Sequence, residues 1–177
     1  MRNLAIVPLL ALAFAAQADN VKGYCERDGK RLDFTDGIAF ADARDSAGTV
    51  TTAIYLTAKP LDRKALAACA ECGGELGENT FVSPRGDLIE AQRVATARGW
   101  MEIQHTGGEL DMTTIVNVMY LADDGTLTGI DGGNGQVAFD ARTDQRVTGK
   151  VTTIAREDPS TDMSCDIAFD LAVGWPR

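Results

Sequence analysis

The stretch Cys165-Asp166-Ile167-Ala168-Phe169-Asp170-Leu171-Ala172-Val173 decides the fold class of this chain. Cysteine or a large apolar side chain occupies every second position, and aspartate or alanine stands between them. Because successive side chains of a β-strand point to opposite faces, the alternation predicts a strand with one face in a core and one in solvent. The chain is therefore expected to be built from half-buried strands.

The same period of two recurs along the rest of the chain. It is found at 32–34, 38–40, 50–56, 137–141 and, more weakly, 147–151. The dipeptide Asp36-Gly37 stands between the first two of these segments and predicts a tight hairpin turn there. The segment 112–121 is apolar on both faces and rich in β-branched residues, which predicts a strand inside a sheet.

Closely spaced turn signals predict that neighbouring strands run antiparallel. They stand at Asp28-Gly29, Ala47-Gly48, Gly107-Gly108, Asp124-Gly125, Gly132-Gly133 and Asp144-Gln145. Parallel strands need crossovers of a dozen or more residues, which this spacing does not allow. The sequence thus predicts a mostly β fold, either an antiparallel β-barrel or a two-sheet β-sandwich. No linker-like segment divides 19–177, so we expect one domain.

One short helix is expected within this β pattern. It covers about 61–70, after Lys59-Pro60, and Gly73-Gly74 forms a stop signal beyond it.

The segment 83–105 is ambiguous between a helix and a strand pair. Ser83-Pro84 can cap a helix that runs to Arg98. On a helical wheel, however, the apolar residues of this segment form a poor stripe. The pattern therefore favours two strands, at 88–95 and 100–105.

The N-terminus has the features of a cleavable export signal. Arg2 supplies a positive charge, residues 4–14 are uncharged and apolar, and Ala16-Gln17-Ala18 matches the small-residue cleavage rule. The apolar run is too short to span a bilayer comfortably. We therefore expect residues 1–18 to be a signal peptide, with Asp19 as the mature N-terminus and a periplasmic or secreted location.

The charge balance is acidic and excludes some partners. The chain has 177 residues, 17 Lys and Arg against 26 Asp and Glu, and a net charge of −9. Removal of residues 1–18 takes away one arginine and no acid, which leaves −10. Nucleic acid and anionic lipid would be repelled, whereas a basic protein would be attracted.

Four cysteines in an oxidising compartment predict disulfides. Cys69 and Cys72 are close enough in sequence to pair with each other, which leaves Cys25 near the start for Cys165 near the end. Two alternatives exist for the Cys-x-x-Cys motif. A thiol oxidoreductase needs an acidified thiol at a helix N-terminus, whereas this motif follows a helix. A zinc site needs a second pair of ligands at matching spacing. Structural disulfides are the favoured interpretation.

Residues for catalysis are sparse. His105 is the only histidine, and Ser83 and Ser164 lack a nucleophile-elbow context. We therefore predict that His105 has a structural role. A pair of carboxylates such as Glu90 and Glu102 can serve as acid and base only if the fold brings them together in a cleft. No catalytic residue and no cofactor are predicted.

Two short motifs match known binding sequences but are explained by turns. Asp123, Asp124, Asp131 and Asn134 are candidate calcium ligands, since calcium prefers oxygen ligands on tight glycine turns. The run fails the EF-hand spacing and lacks the closing glutamate, and two hairpin turns around a strand at 126–130 explain it. Arg85-Gly86-Asp87 resembles an adhesion tripeptide and is likewise expected to form a turn.

The sequence leaves three functional hypotheses. The first is an exported, non-catalytic binding protein that serves as an inhibitor or immunity-type partner of a basic protein. The second is a carrier that holds a small apolar ligand inside a β-barrel. The third is an envelope enzyme that uses paired carboxylates.

Overall fold

The computed structural model describes residues 19–27, 29–44, 48–72, 84–96, 99–106, 115–121, 127–130, 137–143, 145–154 and 163–176. These residues form a mostly β, antiparallel fold, as the alternation predicts. The strands are β1 (Asn20–Arg27), β2 (Lys30–Phe34), β3 (Asp36–Arg44), β4 (Val50–Thr57), β5 (Trp100–Thr106), β6 (Ile115–Leu121), β7 (Leu127–Ile130), β8 (Val137–Arg142), β9 (Arg146–Ile154) and β10 (Met163–Ala172). The helices are α1 (Arg63–Ala67) and α2 (Pro84–Thr96).

The strands make two five-stranded sheets. Sheet A has the order β2-β1-β10-β9-β8, and sheet B has the order β3-β4-β5-β6-β7. Each sheet ends in two edge strands, and among the described residues only an isolated bridge between Ala39 and Val173 connects the ladders of sheets A and B. The fold is therefore a two-sheet sandwich, and the closed barrel that was the other expectation is wrong.

The core lies between the inner faces of the two sheets. Ile167, Phe169 and Leu171 of β10 are buried there, and the residues between them face solvent, as the alternation predicts. From sheet B, Ile54 and Met101 pack into the same cluster. Residues 115–121 form β6, an inner strand of sheet B. This agrees with the prediction for segment 112–121, which is apolar on both faces.

The predicted hairpin at Asp36-Gly37 is wrong. β2 pairs with β1 in sheet A, whereas β3 pairs with β4 in sheet B, so the chain changes sheets at Thr35. Gly37 is a buried ladder residue whose added Cβ would lie 2.8 Å from the carbonyl oxygen of Tyr55. Glycine is required here because the backbones of two neighbouring strands approach closely. The position does not belong to a turn.

A disulfide joins the first and last strands. Cys25 and Cys165 are opposite each other in the β1–β10 ladder, with Cα atoms 4.1 Å apart and both side chains buried. The pairing is the one expected from the positions of the four cysteines. The terminal strands are consequently both hydrogen-bonded and covalently linked.

Two helices cover the outer face of sheet B. Beneath them, β4 is buried on both faces, because Ile54 and Leu56 face sheet A while Ala53 and Tyr55 face the helices. The predicted helix at 61–70 is present but shorter, as α1. The favoured strand at 88–95 is wrong, since these residues lie within α2, whereas the strand expected at 100–105 is present as β5.

Candidate functional site

A cavity of about 250 Å³ lies where the two helices meet the ends of β4 and β5. Its lining is mainly apolar and includes Pro60, Leu61, Ala65, Ile89, Ala95 and Gly99, together with the polar residues Thr57, Lys59, Asp62 and Gln92. A backbone hydrogen bond from Ala58 N to Gly99 O, 3.2 Å long, connects the two chain segments at its base. An engineered cavity of roughly 150 Å³ is sufficient to bind benzene, so this space is large enough for a small molecule.

Asp36 fixes the segment that enters α1. Its carboxylate accepts hydrogen bonds from Leu61 N at 2.7 Å and from Gly37 N at 2.8 Å. The same carboxylate forms a salt bridge of 2.7 Å with Arg63. Because Leu61 lines the cavity, Asp36 holds one wall of it in place.

Gln92 connects the two helices across the cavity. Its Oε1 accepts a hydrogen bond from Asp62 N at 2.9 Å, and its Nε2 donates to Asp62 O at 3.2 Å. The carboxylate of Asp62 in turn caps α1 by accepting from Ala65 N at 2.9 Å. The amide of Gln92 thus bonds both backbone groups of Asp62, the N-cap residue of α1.

The far end of α1 is held by an aromatic side chain and a disulfide. Trp175 donates its indole N–H to Leu66 O at 3.0 Å and packs edge-to-face on Phe40. Cys69 and Cys72 form a disulfide directly after the helix, and Cys72 is buried. No free cysteine remains among the described residues.

Arg85 joins this disulfide turn to sheet B and to α2. Its Nε donates to Cys72 O at 2.7 Å, and a terminal nitrogen donates to Ala41 O at 2.5 Å. The guanidinium lies 5.8 Å from the ring centres of both Phe40 and Trp175. Arg85 is 8% exposed and lies in the first turn of a helix, so the turn expected at 85–87 is wrong.

A polar cluster lies on the helix-covered face of sheet B. Tyr55 donates its phenol to Glu102 Oε1 at 2.8 Å, and Gln104 Nε2 donates to the same oxygen at 2.7 Å. Burial and then the negative charge of Glu102 raise the pKa of Tyr55 far above its ordinary range, and Glu90 adds to the effect. The carboxylates of Glu90 and Glu102 therefore both act on this phenol.

The other residues considered for catalysis are not brought together. His105 is buried on the inner face of β5, with its ring 5.2 Å from that of Phe139. Ser164 is exposed on β10, which belongs to the opposite sheet. Ser83 lies outside the described residues.

The calcium candidates Asp123, Asp124, Asp131 and Asn134 all lie outside the described residues. The strand predicted between them at 126–130 is present as β7. Among the described residues, no group of three His, Cys, Asp or Glu side chains is placed to hold a metal ion.

Sequence reasoning missed the cavity and the role of Arg85. The cavity walls come from two stretches of chain, 57–65 and 89–99, and no local motif marks such a meeting point. The sequence does contain Pro84 immediately before Arg85, which is a signal for a helix start, but the weak apolar stripe obscured it.

No family model, curated protein or solved structure matches this chain. Neither helix in the described ranges has the length and apolar character needed to cross a bilayer.

Proposed function

We propose that this protein is an exported, non-catalytic binding protein that holds a small apolar molecule between its helices and sheet B. The observation that carries the proposal is the cavity of about 250 Å³ with mainly apolar walls. Ligand sites are typically concave, apolar and equipped with a few placed polar groups, and this cavity has that form. The ligand lies outside the sandwich core, which is filled by side chains.

The surroundings of the cavity support a binding role. Asp36 and Gln92 fix the two helices by hydrogen bonds, and Trp175 fixes the end of α1. A site whose walls are held in position in the absence of a ligand loses less conformational entropy on binding. The cavity is consequently suited to retain a small molecule.

Export is part of the proposal. The apolar stretch at 4–14 and the cleavage pattern at 16–18 support it, and two disulfides among the described residues fit an oxidising compartment. Cleavage after Ala18 would leave Asp19 at the N-terminus, and its carboxylate accepts a hydrogen bond of 2.7 Å from Ala172 N.

A basic protein partner has less support from the described surface. The outer face of sheet A carries both signs of charge, and three of its aspartates are paired: Asp33 with Arg31, Asp170 with Arg146, and Asp166 with Lys150. Such a face offers no continuous acidic patch to a cationic surface. We therefore place the small-ligand role first.

Octanol titrated into the purified protein tests the proposal by calorimetry. We expect saturable binding that Ala95→Phe abolishes, because Ala95 lines the cavity and the larger ring would fill it. Ala91→Phe is the matched control, since Ala91 is an exposed alanine one turn earlier on α2 that does not line the cavity. Circular dichroism verifies that both variants fold. Absence of binding to the wild type, or full binding to Ala95→Phe, would contradict the proposal.

A further inference from the structure

The cavity wall uses most of its own polar groups internally. The amide of Gln92 bonds both backbone groups of Asp62. The hydroxyl of Thr57 donates to Lys59 O at 2.8 Å. A carboxylate oxygen of Asp62 accepts from Ala65 N. These groups are occupied by the protein itself, so the inner wall that a ligand meets is apolar.

Lys59 differs from the other polar residues of the wall. Lys59 lines the cavity and is exposed, which places this residue at the rim. Its ammonium forms no salt bridge with any residue in the described ranges, whereas Arg63 nearby in sequence is paired with Asp36. Within the described part of the chain, a cation without a salt-bridge partner is therefore available beside an apolar cavity.

We infer that the ligand is a small anionic amphiphile, an acyl chain ending in a carboxylate or a similar acid, with its chain in the cavity and its charge beside Lys59. The inference rests on the proposed function and specifies its ligand class. By proportion to the cavity that binds benzene, the space holds roughly ten non-hydrogen atoms, which is the size of octanoate.

The overall negative charge of the chain does not oppose this assignment. Exposed charges separated by more than about 8 Å are largely screened at physiological salt, so the groups at the rim determine the preference. The competing rim charge is Asp62, and one of its carboxylate oxygens is held against the backbone of α1 by Ala65 N. Of the two charged residues that line the cavity, Lys59 is the one that attracts an anionic head group.

Three probes of equal chain length distinguish the contribution of the head-group charge from that of the apolar chain. Octanoate, octanol and octylamine are titrated into the disulfide-intact protein at neutral pH. We expect octanoate to bind about two- to fivefold more tightly than octanol, the range for an exposed ion pair, and octylamine to bind most weakly. High salt should remove the difference between octanoate and octanol.

Two lysine variants test whether Lys59 causes the preference for octanoate over octanol. Lys59→Gln should bring octanoate to the affinity of octanol and leave octanol binding unchanged. Lys64→Gln is the control, because Lys64 is an exposed lysine of α1 that does not line the cavity. Equal binding of octanol and octanoate to the wild type, tightest binding of octylamine, or an unchanged Lys59→Gln variant would overturn the inference while the proposed function stands. If none of the three probes binds, the proposed function fails with it.

Discussion

Tyr55 illustrates how a single side chain depends on its surroundings. Its ring stacks on Phe40 and meets Trp100 edge-to-face, and its phenol donates to the Glu102 carboxylate. Burial disfavours the phenolate, and the neighbouring carboxylate disfavours it further, so the pKa of Tyr55 lies well above that of a free tyrosine. The neutral phenol is consequently part of the folded state even in alkaline solution.

This raised pKa predicts a loss of stability at high pH. Above about pH 10 the unfolded chain releases the Tyr55 proton and the folded chain keeps it, so the free energy of unfolding falls as pH rises. The contribution of this group approaches about 1.4 kcal/mol per pH unit. Urea unfolding of Tyr55→Phe between pH 9 and 11 should show a shallower decline than the wild type. Equal slopes for Tyr55→Phe and the wild type would refute the prediction.

At the scale of elements, β10 and α2 show what sequence reasoning can and cannot reach. The alternation of β10 is visible because one face meets an apolar core and the other meets water. The buried positions of α2 include Arg85 and Ile89, one turn apart, with Gln92 half-buried beyond them. A charged residue and an amide thus occupy the stripe that an apolar periodicity would need. The helix was missed because its inward contacts are partly hydrogen bonds.

The attachment of α2 depends on Arg85. Arg85→Met keeps much of the apolar stem but leaves Cys72 O and Ala41 O without this donor. Hydrogen bonds to charged groups contribute about 1.5–3 kcal/mol each, so the loss of both should lower the free energy of unfolding by roughly 3–6 kcal/mol. Chemical denaturation followed by tryptophan fluorescence measures it.

Arg31→Met is the comparison for this change, because Arg31 forms an ion pair on the exposed face of sheet A. It should cost no more than about 1 kcal/mol. A similar small loss for Arg85→Met would show that the guanidinium does not hold the helix in place.

The described residues form three layers, with sheet B between sheet A and the helices. The positions of most strands and their antiparallel pairing were predictable from local patterns, whereas the assignment of strands to sheets was not. Thr35 alone separates β2 from β3, and a dipeptide typical of hairpins follows it. Which sheet a strand joins is decided by contacts distant in sequence, such as the approach of Gly37 to Tyr55.

The two disulfides should differ in their effect on stability. The Cys25–Cys165 bridge closes a loop with a sequence separation of 140, and the Cys69–Cys72 bridge spans a separation of 3. Loop-closure entropy gives about 5 kcal/mol for the first and about 2 kcal/mol for the second. Thermal and urea unfolding of the two double-alanine variants measures the difference. Equal losses would mean that the long bridge acts by strain or local packing instead.

The register of the long bridge also determines how the protein would respond to mechanical force. The free ends of β1 and β10 lie side by side, so tension applied to the termini peels the strands apart one residue pair at a time. Five pairs, from Asn20–Asp170 to Tyr24–Asp166, precede the bond between Cys25 and Cys165. Peeling stops at that bond, and the tension then passes through the two sulfurs. Everything between Cys25 and Cys165, including the cavity, stays unloaded when the chain is pulled from its ends.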